Sequence, residues 1–326
     1  MPQPSGRPVV VILSAPDHQH PYNLEAIQEL ADVRITDAAG LQEALNGADI
    51  LLLWDFFSQA LESVWAGAHR LSWVHAAAAG VDSILFPAFR DSEVTLTNAH
   101  GIFDRPIAEF VLASILAHDK QLHYSKTLQH RHEWKHRDLQ GTHGRNVVIV
   151  GTGGIGRETA RLLTAVGLHV DGVGRTARTD PDFGTVHAST DLAQAVASAD
   201  HVVLIAPLTE QTRGMVNQNV LAAMKTSTHL INVGRGALVD EPALIRALQD
   251  GHLAAASLDV VAEEPLPDNS PLWDLESVHI SAHLSGDIYG WRDMLAAQFL
   301  QNLRQWTAGE PMDHVVDKAS GFVPGK

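Results

Sequence analysis

The run Val147-Val148-Ile149-Val150 breaks off at Gly151-Thr152-Gly153-Gly154-Ile155-Gly156, and apolar residues at helical spacing follow from Arg157 to Val166. No other stretch constrains the fold as much. β-branched residues favour a strand, the glycines demand a tight turn, and the apolar period puts the next segment on a helix. Strand, glycine turn and helix are the context in which G-x-G-x-x-G reads as a dinucleotide site. The first glycine permits the turn, the second lets a pyrophosphate approach the backbone, and the third lets helix and strand pack closely. The helix N-terminus offers amides and a positive dipole end to phosphates. Gly151, Gly153, Gly154, Ile155 and Gly156 are therefore candidate cofactor contacts. The competing reading is a glycine-rich loop with no ligand.

The chain ahead of this turn is long enough to form a second α/β unit. Short apolar runs at Val9–Leu13, Val33–Thr36, Ile50–Trp54, Leu71–His75 and Val94–Thr97 read as strands. Between them lie short helical segments, one capped by Asn23 and running to Leu30, one from Leu41 stopped by Asn46-Gly47, and one from Leu61 to Trp65. Strands alternating with helices predict a parallel, doubly wound sheet. Ala76-Ala77-Ala78-Ala79-Gly80-Val81-Asp82 follows the fourth strand, where such sheets bind ligands. Its small side chains leave backbone amides accessible to an anion, although a plain connection fits as well. Pro106–His118 reads as a long helix starting near Asp104, and the polar stretch from Gln129 to His143, which holds Trp134, is a loop or a subunit-contact arm. After the glycine turn, strands are expected at Leu168–Val173, His201–Ile205, Thr228–Val233, Ala254–Val260 and Val278–Ser281. Helices are expected from Thr190 or Asp191 to Ser198, over Glu241–Gln249 and over Tyr289–Thr307.

Composition narrows the function classes. A net charge of -15 disfavours a general nucleic-acid binder. With no cysteine there is no disulfide, thiolate metal site or cysteine nucleophile. No apolar run approaches membrane-spanning length, and Met1–Pro8 lacks a signal-peptide core, so a cytoplasmic protein is expected. Most of the 19 histidines, such as His130, His132 and His136, lie among polar residues and read as solvated surface.

An acid about 20 positions beyond the glycine turn would hold the ribose 2′-hydroxyl of NAD. Here the strand ends Asp171-Gly172-Val173-Gly174-Arg175-Thr176-Ala177-Arg178, with Gly174 standing 18 positions after Gly156. Arg175 and Arg178 can pair a 2′-phosphate where no carboxylate repels it, which favours NADP(H) over NAD(H). The rival is Asp171, which falls inside the strand. Three further residues, Arg235, Glu264 and His283, each follow the end of a strand in the same unit, where the reactive ring of a dinucleotide would lie. A lone histidine after a strand is often structural, and Glu264 alone could be a surface acid.

These residues, together, resemble the D-isomer-specific 2-hydroxyacid dehydrogenases. The resemblance runs over nearly the whole chain through Ala79-Gly80-Val81-Asp82, the glycine turn, and Ala206-Pro207-Leu208-Thr209 with Thr212. It continues through Asn232-Val233-Gly234-Arg235-Gly236-Ala237-Leu238-Val239-Asp240, Leu258-Asp259-Val260 to Glu264-Pro265-Leu266-Pro267, His283, Asn302-Leu303 and Val315-Val316-Asp317-Lys318. It implies two doubly wound parallel-sheet domains: a flavodoxin-like substrate domain, residues 1–98 completed by 287–326, and an inserted Rossmann dinucleotide-binding domain, residues 99–286. It implies reduction of a small 2-keto acid to the 2-hydroxy acid in a cleft that closes between domains. Arg235 would bind the substrate carboxylate, with backbone amides of Ala78, Ala79 and Gly80. His283 would protonate the ketone oxygen, and Glu264 would steady His283. Ala206, Pro207, Thr212, Val233, Gly234, Asp259 and Gly286, with Arg175, Thr176 and Arg178, would line the cofactor groove.

Glu264 differs from the glutamine of formate dehydrogenases, and no regulatory extension of the phosphoglycerate-dehydrogenase kind is read after Lys326. Gly174-Arg175-Thr176 is similar to the glyoxylate and hydroxypyruvate reductase branch. In that branch a partner's tryptophan can line the pocket, a role open to Trp134 although the local sequence departs from the pattern. Trp54, Phe56 and Phe57 could wall the pocket or pack in the core. A homodimer through the nucleotide domain is expected, with no metal, membrane or nucleic-acid partner. The competing class is a dinucleotide-sensing, corepressor-like binding protein of the same fold.

Overall fold

The computed structural model describes residues 6–15, 20–55 and 58–324. Contacts divide the chain into two compact units, Met1–Phe103 with Ile288–Lys326, and Asp104–Asp287. The first runs β1 Val9–Leu13, α1 Leu24–Leu30, β2 Asp32–Thr36, α2 Leu41–Ala44, β3 Ile50–Leu53, α3 Ala60–Val64, β4 Trp73–Ala76, α4 Pro87–Arg90 and β5 Thr95–Asn98. The strands are parallel in the order β2-β1-β3-β4-β5, the flavodoxin-like order. The apolar run of β3 and the whole of β4, His75 included, are buried, as central parallel strands covered on both faces must be, whereas β2 at the edge is half exposed.

The second unit runs α5 Asp104–Asp119, α6 Leu122–His130, β6 Asn146–Val150, α7 Gly154–Ala165, β7 His169–Gly174, β8 Arg178–Thr179, β9 Thr185–Ala188, α8 Leu192–Val196, β10 His201–Leu204, α9 Gln218–Ala223, β11 His229–Asn232, α10 Glu241–Gln249, β12 Ala255–Leu258 and β13 Val278–Ile280. Its sheet order is β13-β12-β11-β10-β6-β7-β9-β8. Chain order reverses between β6 and β10, and the crevice beyond the carboxyl ends of strands at such a reversal is where open α/β sheets take ligands. α11, Trp291–Ala308, then returns to the first unit and stops at Gly309 in the left-handed region. Its Phe299 stacks on Trp73 at 5.3 Å.

The structure corrects several expectations. Asn23 starts α1 but makes no side-chain cap; its Nδ2 donates to Ala296 O in α11 at 2.8 Å, so the residue fastens α11 to the start of α1 instead. The second sheet is not wholly parallel, because β8 pairs antiparallel with β9 in a short hairpin. Helices α6 and α9 and this hairpin had not been expected. His130, His132 and His136 are exposed as expected, but three other histidines, His75, His201 and His229, are fully buried. Phe56 and Phe57 lie outside the described residues. Trp54 is 4% exposed and Trp73 fully buried, so both belong to the core.

Candidate active site

The glycine turn separates its three functions cleanly. Gly151 has φ +116°, and a Cβ there would stand 2.7 Å from Ala206 N. A Cβ on Gly156 would run into the Gly151 carbonyl. At Gly153 an added Cβ would meet no atom within 4 Å. The chain's own packing therefore requires the first and third glycines but not the second. That is the pattern of a turn whose middle glycine keeps the backbone open to a pyrophosphate, so the residues fit a dinucleotide. α7 begins at Gly154, and the amides of Gly154, Ile155 and Gly156 belong to its first turn, where the helix offers them no partner. In the loop after β10, Thr212 Oγ1 donates to Pro207 O at 2.7 Å and accepts from Thr209 N at 2.8 Å. Thr212 thereby pins the loop that carries Ala206 and Pro207 against Gly151.

Within β7, Asp171 is engaged by the neighbouring segment. Its Oδ1 accepts from Thr185 N at 2.7 Å beside β9. Arg175 and Thr176 are exposed after the strand. Arg178 Nη2 reaches back to donate to Thr152 Oγ1 in the glycine turn at 3.0 Å, and the same guanidinium pairs with Asp180 at 3.1 Å.

Three loops at the carboxyl ends of β11, β12 and β13 bring the chemical groups together. Val233 N donates to Leu204 O, continuing the β10–β11 pairing beyond the strand. The buried Asn232 side chain then shapes the turn, accepting from Gly234 N at 3.1 Å and donating to Arg235 O at 3.0 Å. Arg235 Nη1 donates to Gly234 O at 2.8 Å. A Cβ on Gly236 would overlap the Val261 carbonyl, so only glycine lets the Arg235 loop touch the loop carrying Glu264. Val261 N donates to Glu264 Oε1 at 3.1 Å, leaving Oε2 to meet His283 Nδ1 at 2.7 Å. Burial disfavours ionised Glu264, but the His283 hydrogen bond and charge, the Val261 amide and the Arg235 charge outweigh it and hold the carboxyl below its ordinary value. That Arg235 acts on Glu264 puts all three side chains in one electrostatic neighbourhood.

His283 itself has φ +52°, a left-handed backbone costing on the order of 1 kcal/mol for a residue with a Cβ. Asp259 holds it there. His283 N donates to Asp259 O at 2.8 Å. The buried Asp259 carboxylate accepts from Ser281 Oγ at 2.5 Å, Leu284 N at 3.0 Å and Ser285 N at 2.9 Å. Gly286 follows, buried. The Asp259 side chain is thus the anchor of the histidine loop. That role, and those of Asn232, Thr152 and Asp180, were missed from sequence; the only signal was their position beside strand ends and glycines.

In the first unit, the loop after β4 is held by its carbonyls. Ala99 N donates to Ala78 O at 3.0 Å and Asn98 Nδ2 to Ala79 O at 2.6 Å. In a trans peptide the N–H points opposite to the C=O of the same unit, so the Ala79 and Gly80 amides are turned the other way, free of the β5 side.

Sheet order and turn geometry define a dinucleotide-binding unit joined to a flavodoxin-like one. Residues 112–285 match the family model described as D-isomer specific 2-hydroxyacid dehydrogenase, NAD binding domain. The chain belongs to this family of NAD(P)-dependent oxidoreductases. It is 31% identical over 327 residues to a D-3-phosphoglycerate dehydrogenase of Mycobacterium bovis, covering 97% of this chain but 60% of that protein. It is 30% identical over 280 residues to a glyoxylate reductase of Thermococcus kodakarensis, covering 83% and 84% of the two chains. A D-isomer specific 2-hydroxyacid dehydrogenase from Xanthobacter autotrophicus, solved in complex with NADPH and MES, superimposes with TM-score 0.84 at 30% identity, covering 97% of this chain and 100% of that one.

Proposed function

We propose that this protein reduces a small 2-keto acid of the glyoxylate or hydroxypyruvate type to the D-2-hydroxy acid, with NADPH preferred over NADH. The observation that carries the reading is the 2.7 Å contact between His283 Nδ1 and Glu264 Oε2, within reach of the Arg235 charge. A ketone needs two things at once to become an alcohol: hydride at carbon and a proton at oxygen. The nicotinamide, when bound, supplies the hydride. Arg235 offers a planar fork of donors suited to the substrate carboxylate, which orients the adjacent ketone. Because Nδ1 of His283 is committed to Glu264, Nε2 is the nitrogen that gives its proton to the ketone oxygen. Glu264, kept ionised by its neighbours, accepts a hydrogen bond from Nδ1 and so holds the ring with Nε2 as the proton donor. In the first unit the outward amides of Ala79 and Gly80 are candidate donors to a carboxylate.

The cofactor preference rests on the segment after β7, where Arg175, Thr176 and Arg178 follow and the Asp171 carboxylate is engaged by the Thr185 amide. The Xanthobacter relative solved in complex with NADPH supports the same choice. We further assign subunit pairing to the second unit, through the segment from α6 onward. Trp134 there is fully exposed, with Leu122, Tyr124 and Leu139 also exposed, an apolar surface that a homodimer would cover. Steady-state assays of glyoxylate, hydroxypyruvate and larger 2-keto acids against both cofactors test the reading. It predicts kcat/KM roughly tenfold or more higher with NADPH, the scale of one lost charge-assisted contact. No cofactor oxidation with any keto acid would overturn it.

A further inference from the structure

The β8–β9 hairpin is tied to α7 by a ladder of charges. Arg161 pairs with Asp182 at 2.7 Å, and Arg157 pairs with Asp182 at 2.8 Å. Arg157 also grips Asp180 with both terminal nitrogens at 2.8 Å. The ladder continues through Asp180 Oδ2 to Arg178 and ends on Thr152 Oγ1, inside the glycine turn. β9 is fixed by its parallel pairing with β7, but β8 has two residues and little ladder pairing of its own, so these ion pairs brace the β8 side of the hairpin. Asp180 is the joint, 6% exposed, shared by one arginine on α7 and one on the hairpin.

We infer that Asp180 is a positioning residue for NADPH, holding the Arg178 guanidinium with Thr152 beside the glycine turn in the plane that receives the 2′-phosphate. The inference rests on the reading of Arg178 as a phosphate-binding group. Asp180 fixes Nε and Nη2 of Arg178, at 3.2 and 3.1 Å, and Thr152 fixes Nη2 a second time. With those atoms held, the direction of the Nη1 edge is set before any ligand arrives, and a fork held in advance loses less entropy on binding. A carboxylate this near a phosphate would ordinarily repel it. Here the bidentate Arg157 offsets the charge of Asp180, so Arg178 keeps its attraction. Arg157 therefore acts as a screen as well as a clamp.

The test is the ratio of KM for NADPH to KM for NADH in the full-length enzyme, measured for wild type, Arg178→Ala, Asp180→Asn, Thr152→Val and the Arg178→Ala/Asp180→Asn double variant. Asp180→Asn is expected to raise the ratio about five- to tenfold, and Arg178→Ala by at least as much. The double variant should match Arg178→Ala alone, because residues acting through one another are not additive. If Asp180→Asn does not fold, Thr152→Val decides, since it loosens Arg178 without removing a buried charge. A wild type without NADPH preference removes the reading of Arg178, and this inference with it. A wild type that prefers NADPH, and loses the preference in Arg178→Ala but keeps it in Asp180→Asn and Thr152→Val, overturns the inference about Asp180 alone.

Discussion

His283 illustrates how much of a site is decided one residue at a time. Its backbone is left-handed, three hydrogen bonds to the Asp259 carboxylate brace the loop around it, and one ring nitrogen is given to Glu264. We assign the proton transfer to the other nitrogen, Nε2. Arg235 is shaped with equal economy, since the Asn232 side chain folds the turn and Gly236 lets that turn touch the Val261 backbone. What the arginine supplies is geometry as well as charge. Arg235→Lys is therefore expected to lower kcat/KM for the keto acid by about tenfold or more, although the charge is kept, because a planar fork is replaced by a point donor. Steady-state kinetics at saturating NADPH check this, and unchanged kcat and KM would remove Arg235 from carboxylate binding.

At the scale of elements, the glycine turn makes a contrast that can be measured. Gly151→Ala places a side chain at φ +116° against the backbone of Ala206, and should destabilise the fold by more than about 1 kcal/mol. Gly153→Ala meets no protein atom, and should leave thermal unfolding within about 0.5 kcal/mol of wild type while raising KM for NADPH. Equal thermal shifts in the two variants would mean that the glycines are not divided between packing and ligand. Elements of this kind were legible in sequence because their signals are local: apolar runs gave β1, β3, β6, β10 and β11, and the loops carrying Arg235, Glu264 and His283 follow directly from strand ends. What escaped was set by tertiary contact. α6 buries Leu128 and little else, so no apolar period marks it. The β8–β9 hairpin is held by pairing with β7 and by ion pairs between residues more than 20 positions apart. Buried His201 and His229 begin strands, and their polar type disguised core positions. The side-chain work of Asp259, Asn232 and Asp180 could not be read before loops distant in sequence were known to meet.

The whole molecule carries its histidines in a way that sets its response to acid. In the second unit His118 stacks on His229 at 4.4 Å, and His123 on His279 at 3.5 Å. Burial, with repulsion from neighbouring histidines adding to it, lowers the pKa of His118, His229 and His279, that of His279 to about 4. In the first unit burial and the His314 charge take His75 down to about 3. The sign follows directly. Below the unfolded value of 6.5 the unfolded chain binds protons that the folded chain refuses, so stability is lost as pH falls from about 6.5 toward these depressed values. Denaturant midpoints at pH 7.5 and 5 should differ, with the lower midpoint at pH 5; equal midpoints would contradict the buried, neutral state of these rings.

The central claim is that Arg235, Glu264 and His283 act together on a 2-keto acid beside a dinucleotide held at the glycine turn. One measurement meets it directly: NADPH oxidation with hydroxypyruvate, with the chirality of the glycerate product determined, in wild type and in His283→Ala. The account predicts one D-glycerate per NADPH in wild type. In His283→Ala it predicts a fall in kcat of about 10²–10⁴, as for a lost general acid, with NADPH binding retained. Formation of L-glycerate, or a His283→Ala variant that turns over at the wild-type rate, would contradict it.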